Sequence, residues 1–177
     1  MESTILTGLI LISPILFVRF LLLSCLGKEA LKRAALSPPV EGIERIAYLI
    51  NILTTFALFI VPFFLKIKFQ SFLTLSGLIL FLVSLTLYAV SIIRFARPNS
   101  DGLNVSGLYR ISRNPMYVAF FFYFLTCCLL TRSWVLLTVL AIFQISVHFL
   151  IISEERWCKH QFGEAYNDYL EKVRRYI

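Results

Sequence analysis

Residues 115–152 read "PMYVAFFFYFLTCCLLTRSWVLLTVLAIFQISVHFLII", an apolar run of about 38 residues broken only at "TRSW", Thr131 to Trp134. A helix needs about 20 apolar residues to cross the roughly 30 Å hydrocarbon core of a bilayer. One crossing is too few for this run and two are enough. Because backbone polar groups must be satisfied inside the helix while it is in lipid, the turn belongs at the polar break. The expectation is a tight helical hairpin with a short first arm, 115–131, and a second arm, 133–152.

Working outward, three further segments have span character, at approximately 4–26, 43–65 and 72–96. The whole chain agrees with them: of 177 residues, 59% are hydrophobic and 15% charged, and the mean hydropathy is +0.82. Such values lie outside the range of soluble globular domains. The expected fold class is an all-α integral membrane protein of about five transmembrane helices, spans 4 and 5 forming the hairpin, with an amphipathic cytoplasmic C-terminal tail. Residues 1–97 make an N-terminal three-span region. Residues 98–177 make a loop, hairpin and tail, integrated with it in one membrane domain. The N-terminus "MESTILTGLILISPILF" has no Lys or Arg before its apolar run, unlike a cleaved signal peptide, and reads as a retained span.

The formal charge of +7 calls for a partner. No basic stripe interleaved with aromatics lies outside the apolar runs, so nucleic acid is not expected. Basic residues flanking spans suit anionic headgroups, which makes the lipid bilayer the expected partner. Alternating sides places thirteen basic residues on one face (Lys28, Lys32, Arg33, Arg45, Arg94, Arg97, Arg110, Arg113, Arg156, Lys159, Lys172, Arg174, Arg175) and three on the other (Lys66, Lys68, Arg132). Arg19, inside the first span, completes the seventeen. By the positive-inside rule the richer side is cytoplasmic, which puts the N-terminus outside and the C-terminus in the cytosol. The membrane is that of a bacterial or archaeal cell, or the endoplasmic reticulum. Cys25, Cys127, Cys128 and Cys158 lack metal or CxxC spacing and read as packing residues, so no metal site is expected.

Two polar features adjoin the hairpin. Before its first arm stands "GLYRISRNPMY", 107–117, where Asn114 suits an N-cap and Pro115 the first helical position. That accounts for the Asn-Pro step, but not for Arg110 and Arg113 beside it or Tyr109 and Tyr117 around it. A helix N-terminus with two guanidinium groups makes an anion site. After the second arm come Glu154 and Glu155, costly at that depth unless an arginine or a bound cation partners them. Gln144, His148 and Glu155 fall roughly on one helix face. A zwitterionic, positively charged ligand suits both ends of the hairpin. In the tail, Trp157, Phe162, Tyr166, Tyr169, Leu170 and Val173 recur at helical spacing and predict a segment lying on the membrane, aromatic face down, broken at Gly163.

At these residues the chain resembles the membrane methyltransferases that include isoprenylcysteine carboxyl methyltransferase and phospholipid N-methyltransferases. Their pattern is "G-x-Y-x-x-x-R-H-P-x-Y", a helical hairpin, "EE" and a tail like "FGEEYxEY". Here it stands as Gly107, Tyr109, Arg113, Asn114, Pro115, Tyr117, then Glu154 and Glu155, then "FGEAYNDY" from Phe162 to Tyr169. The likeness covers roughly 98–177, with only hydropathy in the first three spans. Asn114 stands where the family commonly has His, and Ala119 where it has Gly, which argues against proton transfer at position 114.

The resemblance implies S-adenosylmethionine as cofactor, held by Tyr109, Asn114, Pro115, Met116, Tyr117, His148, Glu154 and Glu155. It implies Arg113 and Glu155 as catalytic residues, with Arg113 also orienting a carboxylate substrate. The acceptor is lipophilic, a prenylcysteine-type carboxylate or a phospholipid amine; the amine would need a base such as His148 or a Glu. Arg19 is a candidate substrate contact, since a charge within a span is often functional, or else it snorkels. The alternatives are an NADPH-dependent membrane sterol or steroid reductase and a non-catalytic membrane protein. Those reductases place Asn and Glu where this chain has Met116 and Phe120. Neither the acceptor's identity nor the oligomeric state is readable from the residues.

Overall fold

The computed structural model describes residues 2–36, 38–69, 71–99 and 102–177. Among them are seven α-helices: α1 Glu2–Cys25, α2 Lys28–Ala35, α3 Ile43–Ile60, α4 Ser71–Ala96, α5 Pro115–Thr131, α6 Trp134–Phe162 and α7 Glu164–Lys172. Four helical stretches are long and apolar enough to cross a membrane: Ser3–Cys25, Ile43–Phe64, Thr74–Ala96 and Trp134–Phe162. Pro115–Thr131 is a shorter apolar helix. The all-α membrane fold is therefore present, its fifth member the short arm.

The hairpin turns where the polar break lies. Arg132 takes the left-handed conformation that ends α5, and the Ser133 hydroxyl accepts from the Leu136 amide to cap α6. The Lys68 amide donates to Leu130 O at 2.9 Å, so the loop after α3 satisfies one terminal carbonyl of α5. At 1.5 Å per residue, the 17 residues of α5 span about 26 Å, less than the hydrocarbon core.

α6 departs from expectation. It continues through 152 to Phe162 as one 29-residue helix, so the second arm carries Glu154 and Glu155 within it. The break falls at Gly163, with φ 54 and ψ −127, which turns α7 back across the bundle end. The tail's aromatic face does not lie on the membrane. Tyr166 and Tyr169 are buried with Leu103, and the Tyr169 hydroxyl donates to Tyr109 O at 2.6 Å. The loop offers the Tyr169 hydroxyl a backbone acceptor and the rings an apolar partner in Leu103, which suits amphipathic rings better than lipid. The short helix α2 is an addition that the hydropathy pattern did not predict.

The core gathers large side chains from the spans: Leu11 and Ile15 from α1, Leu58 from α3, Tyr88 and Ile92 from α4, Tyr123 and Phe124 from α5, Leu136 and Val147 from α6. Gly8 is needed for close approach, since a Cβ there would collide with the Phe63 ring and backbone in the 3-10 turn after α3. Outward-facing Phe17, Leu53, Phe56, Leu75, Leu82 and Ile145 are exposed, as lipid-facing positions of spans should be. Buried Cys127 and Cys128 are core packing, and the four cysteines are unpaired.

Three links bring the basic ends of the helices together. Arg156 of α6 makes a fork with Glu44 of α3, both contacts 2.7 Å. Arg33 of α2 donates to Gly102 O at 3.2 and 3.3 Å. A parallel bridge joins Ser112 to Arg174.

Candidate functional site

The "RNP" loop is stitched to the C-terminal tail. The Arg113 amide donates to Arg174 O at 3.0 Å, and the Ser112 hydroxyl donates to Arg175 O at 3.4 Å. Asn114 occupies the N-cap position, but its side chain makes no cap bond; its Nδ2 donates instead to Arg175 O at 3.1 Å. The Asn114 carbonyl accepts the first intrahelical bond, from the Val118 amide, and Pro115 has no N–H to satisfy. The side-chain amide is thereby free to bind the tail.

Glu155 lies at the centre. It is 8% exposed, and its carboxylate receives Arg113 Nη2 at 3.0 Å and the Arg175 fork at 3.0 Å (Nε) and 2.7 Å (Nη2). This bond holds the Arg175 guanidinium charged, above its ordinary value. Arg113 Nη1 also donates to Leu170 O and Val173 O, each at 3.1 Å, tying α7 to the loop. Of the two loop arginines only Arg113 meets the Glu pair. Arg110 is exposed, and Arg175 is the second guanidinium on Glu155. The adjacent Glu154 accepts from the Tyr117 hydroxyl at 2.7 Å.

These groups line a cavity of about 430 Å³ at the basic end. Tyr109, Arg113, Asn114, Met116, Tyr117, Glu154, Glu155 and Arg19 are on its wall. Pro115 and His148 are not. Pro115 is buried at the start of α5, and His148 Nδ1 pairs with the Tyr176 hydroxyl at 2.9 Å. The face shared by His148 and Glu155 is the one along which tail residues 175 and 176 run. Burial pushes the Tyr109 phenol well above its usual range, so it acts as a neutral hydroxyl.

Sequence reasoning passed over one wall residue, Arg33, and one residue that holds a wall carboxylate, Arg175. Arg33, on α2, sits 5.3 Å from the centre of the Phe95 ring, and its Nε is buried without a hydrogen-bond partner. Its helix has strong amphipathic character, which was the available signal. Arg175, at the far end of the tail, gave none beyond its charge.

A second cavity of about 340 Å³ lies among α1, α3, α4, α5 and α6, walled by Ile15, Leu16, Phe20, Phe59, Phe120 and Phe143. Arg19, Met116 and Tyr117 line both cavities.

Two cavities therefore adjoin at the start of the hairpin, the first carrying the Glu pair and Arg113 on its wall and the second mostly hydrocarbon and aromatic rings. The family model for phospholipid methyltransferases matches residues 50–165. The chain belongs to this family. The phospholipid methyltransferase match starts in α3, so it takes in the span preceding α4 as well as the loop and hairpin. It stops just inside α7, leaving Arg19, Arg33 and Arg175 outside the matched region. No curated protein and no solved structure matches the chain.

Proposed function

We propose that this membrane methyltransferase uses S-adenosylmethionine and methylates a lipid-like acceptor embedded in the bilayer. The observation that carries this reading is the pair of adjoining cavities. The first has the size of pockets that bury small ligands, about 300–1,000 Å³. Its donor set also fits the cofactor: Glu154 and Glu155 for cationic centres, rings from Phe95, Tyr109 and Trp157 for a nucleoside and a sulfonium, and buried Nε groups of Arg33 and Arg113 without partners for a carboxylate. When bound, the cofactor supplies an electrophilic methyl group on positively charged sulfur.

The residues of the chain then have separate duties. Arg113 and Arg175 neutralise Glu155 and fix the loop, so Glu155 shapes the wall while Glu154, bonded to a neutral tyrosine, remains the less compensated carboxylate. Tyr117, seen by both cavities, marks where donor and acceptor meet, and positioning there is the main catalytic contribution. An acyl or prenyl tail filling the second cavity would keep water from that point. A carboxylate acceptor needs no base. An amine acceptor must lose a proton, for which Glu154 stands on the wall and His148 does not. The active site and C-terminus face the cytosol and the N-terminus faces outward, on the strength of the basic residues collected at this end.

Titration of the purified protein by calorimetry tests the reading. Saturable binding of S-adenosylmethionine is expected, weakened about tenfold or more in Glu154→Gln, since a charge-assisted contact contributes about 1.5–3 kcal/mol. Saturable binding of NADPH with none of S-adenosylmethionine would overturn it in favour of a reductase.

A further inference from the structure

A guanidinium inside a membrane span is costly unless an opposite charge or good acceptors meet it. Arg19 in α1 has one hydrogen bond, to the Tyr88 hydroxyl of α4 at 3.1 Å. Among the described residues no carboxylate lies within ion-pair distance of it. Tyr88 is 2% exposed, so the bond pulls Arg19 into the bundle and away from the headgroups. A guanidinium carries five N–H donors, and this one spends a single donor on a neutral partner. The residue lines both cavities.

The anion that completes this arrangement comes from the side of the second cavity. The cofactor's own carboxylate already has Arg33 and Arg113 beside the loop, where both Nε groups are buried without partners. The wall next to Arg19 on the membrane side is hydrocarbon and aromatic rings, with Asn51 and Thr55 as its small polar additions. A molecule filling it has an apolar tail and ends in a negative group.

We infer that Arg19, oriented by Tyr88, binds an oxyanion of the lipid acceptor, a carboxylate or a phosphate, while the acceptor's tail fills the second cavity. This deepens the reading above and rests on it, because it assigns the first cavity to the cofactor. A carboxylate at Arg19 is itself the nucleophile; a phosphate there anchors an acceptor whose amine lies further along toward Tyr117 and Glu154. Both place negative charge opposite the acidic wall, leaving the space between for the sulfonium.

Binding of lipid probes to protein in nanodiscs, measured without cofactor, tests this. Two matched pairs are used: S-farnesylcysteine against its carboxamide, and lysophosphatidylethanolamine against oleylamine, which lacks the phosphate. Wild type is expected to favour the oxyanion-bearing member of one pair, and Arg19→Gln to bind that member about tenfold more weakly while binding the member that lacks the oxyanion unchanged. The pair that responds identifies the oxyanion. Tyr88→Phe, which removes only the hydroxyl, is expected to weaken the same member about threefold and carries the test if Arg19→Gln does not fold. Equal binding of both members of both pairs by wild type, or no change in either variant, overturns the inference. Because the lipid arms contain no cofactor, failure of S-adenosylmethionine to bind wild type is a separate result that strikes the proposed function instead.

Discussion

At the scale of single residues, Arg113 does more than pair a charge. It meets Glu155 with one nitrogen and the carbonyls of Leu170 and Val173 with another, and its side chain is only 11% exposed. Arg175 meets Glu155 alone through its side chain, which is 33% exposed. Removing Arg113 leaves two carbonyls unmet and a buried carboxylate with one partner, a loss of about 3 kcal/mol or more. Removing Arg175 leaves Arg113 in place, and its partial exposure reduces the loss to about 1–2 kcal/mol. Thermal denaturation in detergent should therefore show a larger drop for Arg113→Ala than for Arg175→Ala. Arg113→Lys should not restore the wild-type midpoint, because a single ammonium cannot reach the carboxylate and both carbonyls in the fork geometry. Equal drops for the two alanine variants would mean that the carbonyl contacts contribute nothing.

At the scale of elements, the turn at Gly163 decides whether a tail covers the site. Its φ of 54 with ψ of −127 is a conformation that residues with a Cβ rarely adopt, although a Cβ there would meet nothing within 4 Å. The strain of Gly163→Ala is thus purely backbone, about 1–3 kcal/mol. It acts on the attachment of α7, whose Tyr169 holds Tyr109 and whose carbonyls hold Arg113. Hydrogen exchange across 164–177 and 107–114 should speed up together in this variant while α1 to α4 stay protected; acceleration of the tail alone would separate it from the loop. The position of this break was legible, because a glycine interrupts a helical pattern there. What the tail's aromatic face packs on was not. Helical spacing of Tyr166 and Tyr169 states that a face is buried, and lipid and a folded loop satisfy that statement equally. The hairpin was legible for the opposite reason: residues 115–152 are too long for one crossing and their polar break leaves one place to turn. Asn114 misled at the level of its side chain, since an N-cap residue and a loop-to-tail tether have the same local sequence, and the tether's acceptor, Arg175 O, is 61 positions away.

At the scale of the molecule, one end of the bundle collects the ends of α1, α3, α4, α5 and α6 together with α2, α7 and the cavity, joined by the Arg156–Glu44, Arg33–Gly102 and Ser112–Arg174 contacts. Thirteen of the seventeen basic residues belong to segments at that end, against three at the other. Moving a positive charge outward against a membrane potential costs about 2.3 kcal/mol per 100 mV, and the anionic inner leaflet adds about 1 kcal/mol for each nearby basic residue. Even with most of that screened, the asymmetry favours one orientation strongly. Exposed Lys159 and Lys68 stand at opposite ends and report on it. In a protein with Cys25 and Cys158 changed to serine, whose remaining Cys127 and Cys128 are buried in the core, cysteines are introduced as Lys68→Cys or Lys159→Cys. A membrane-impermeant maleimide applied to intact cells should label the first and not the second, with the second labelled only after permeabilisation. The reverse pattern would put the cavity on the outer face, away from any cytosolic supply of a methyl donor, and the proposed chemistry would lose its cofactor along with its orientation.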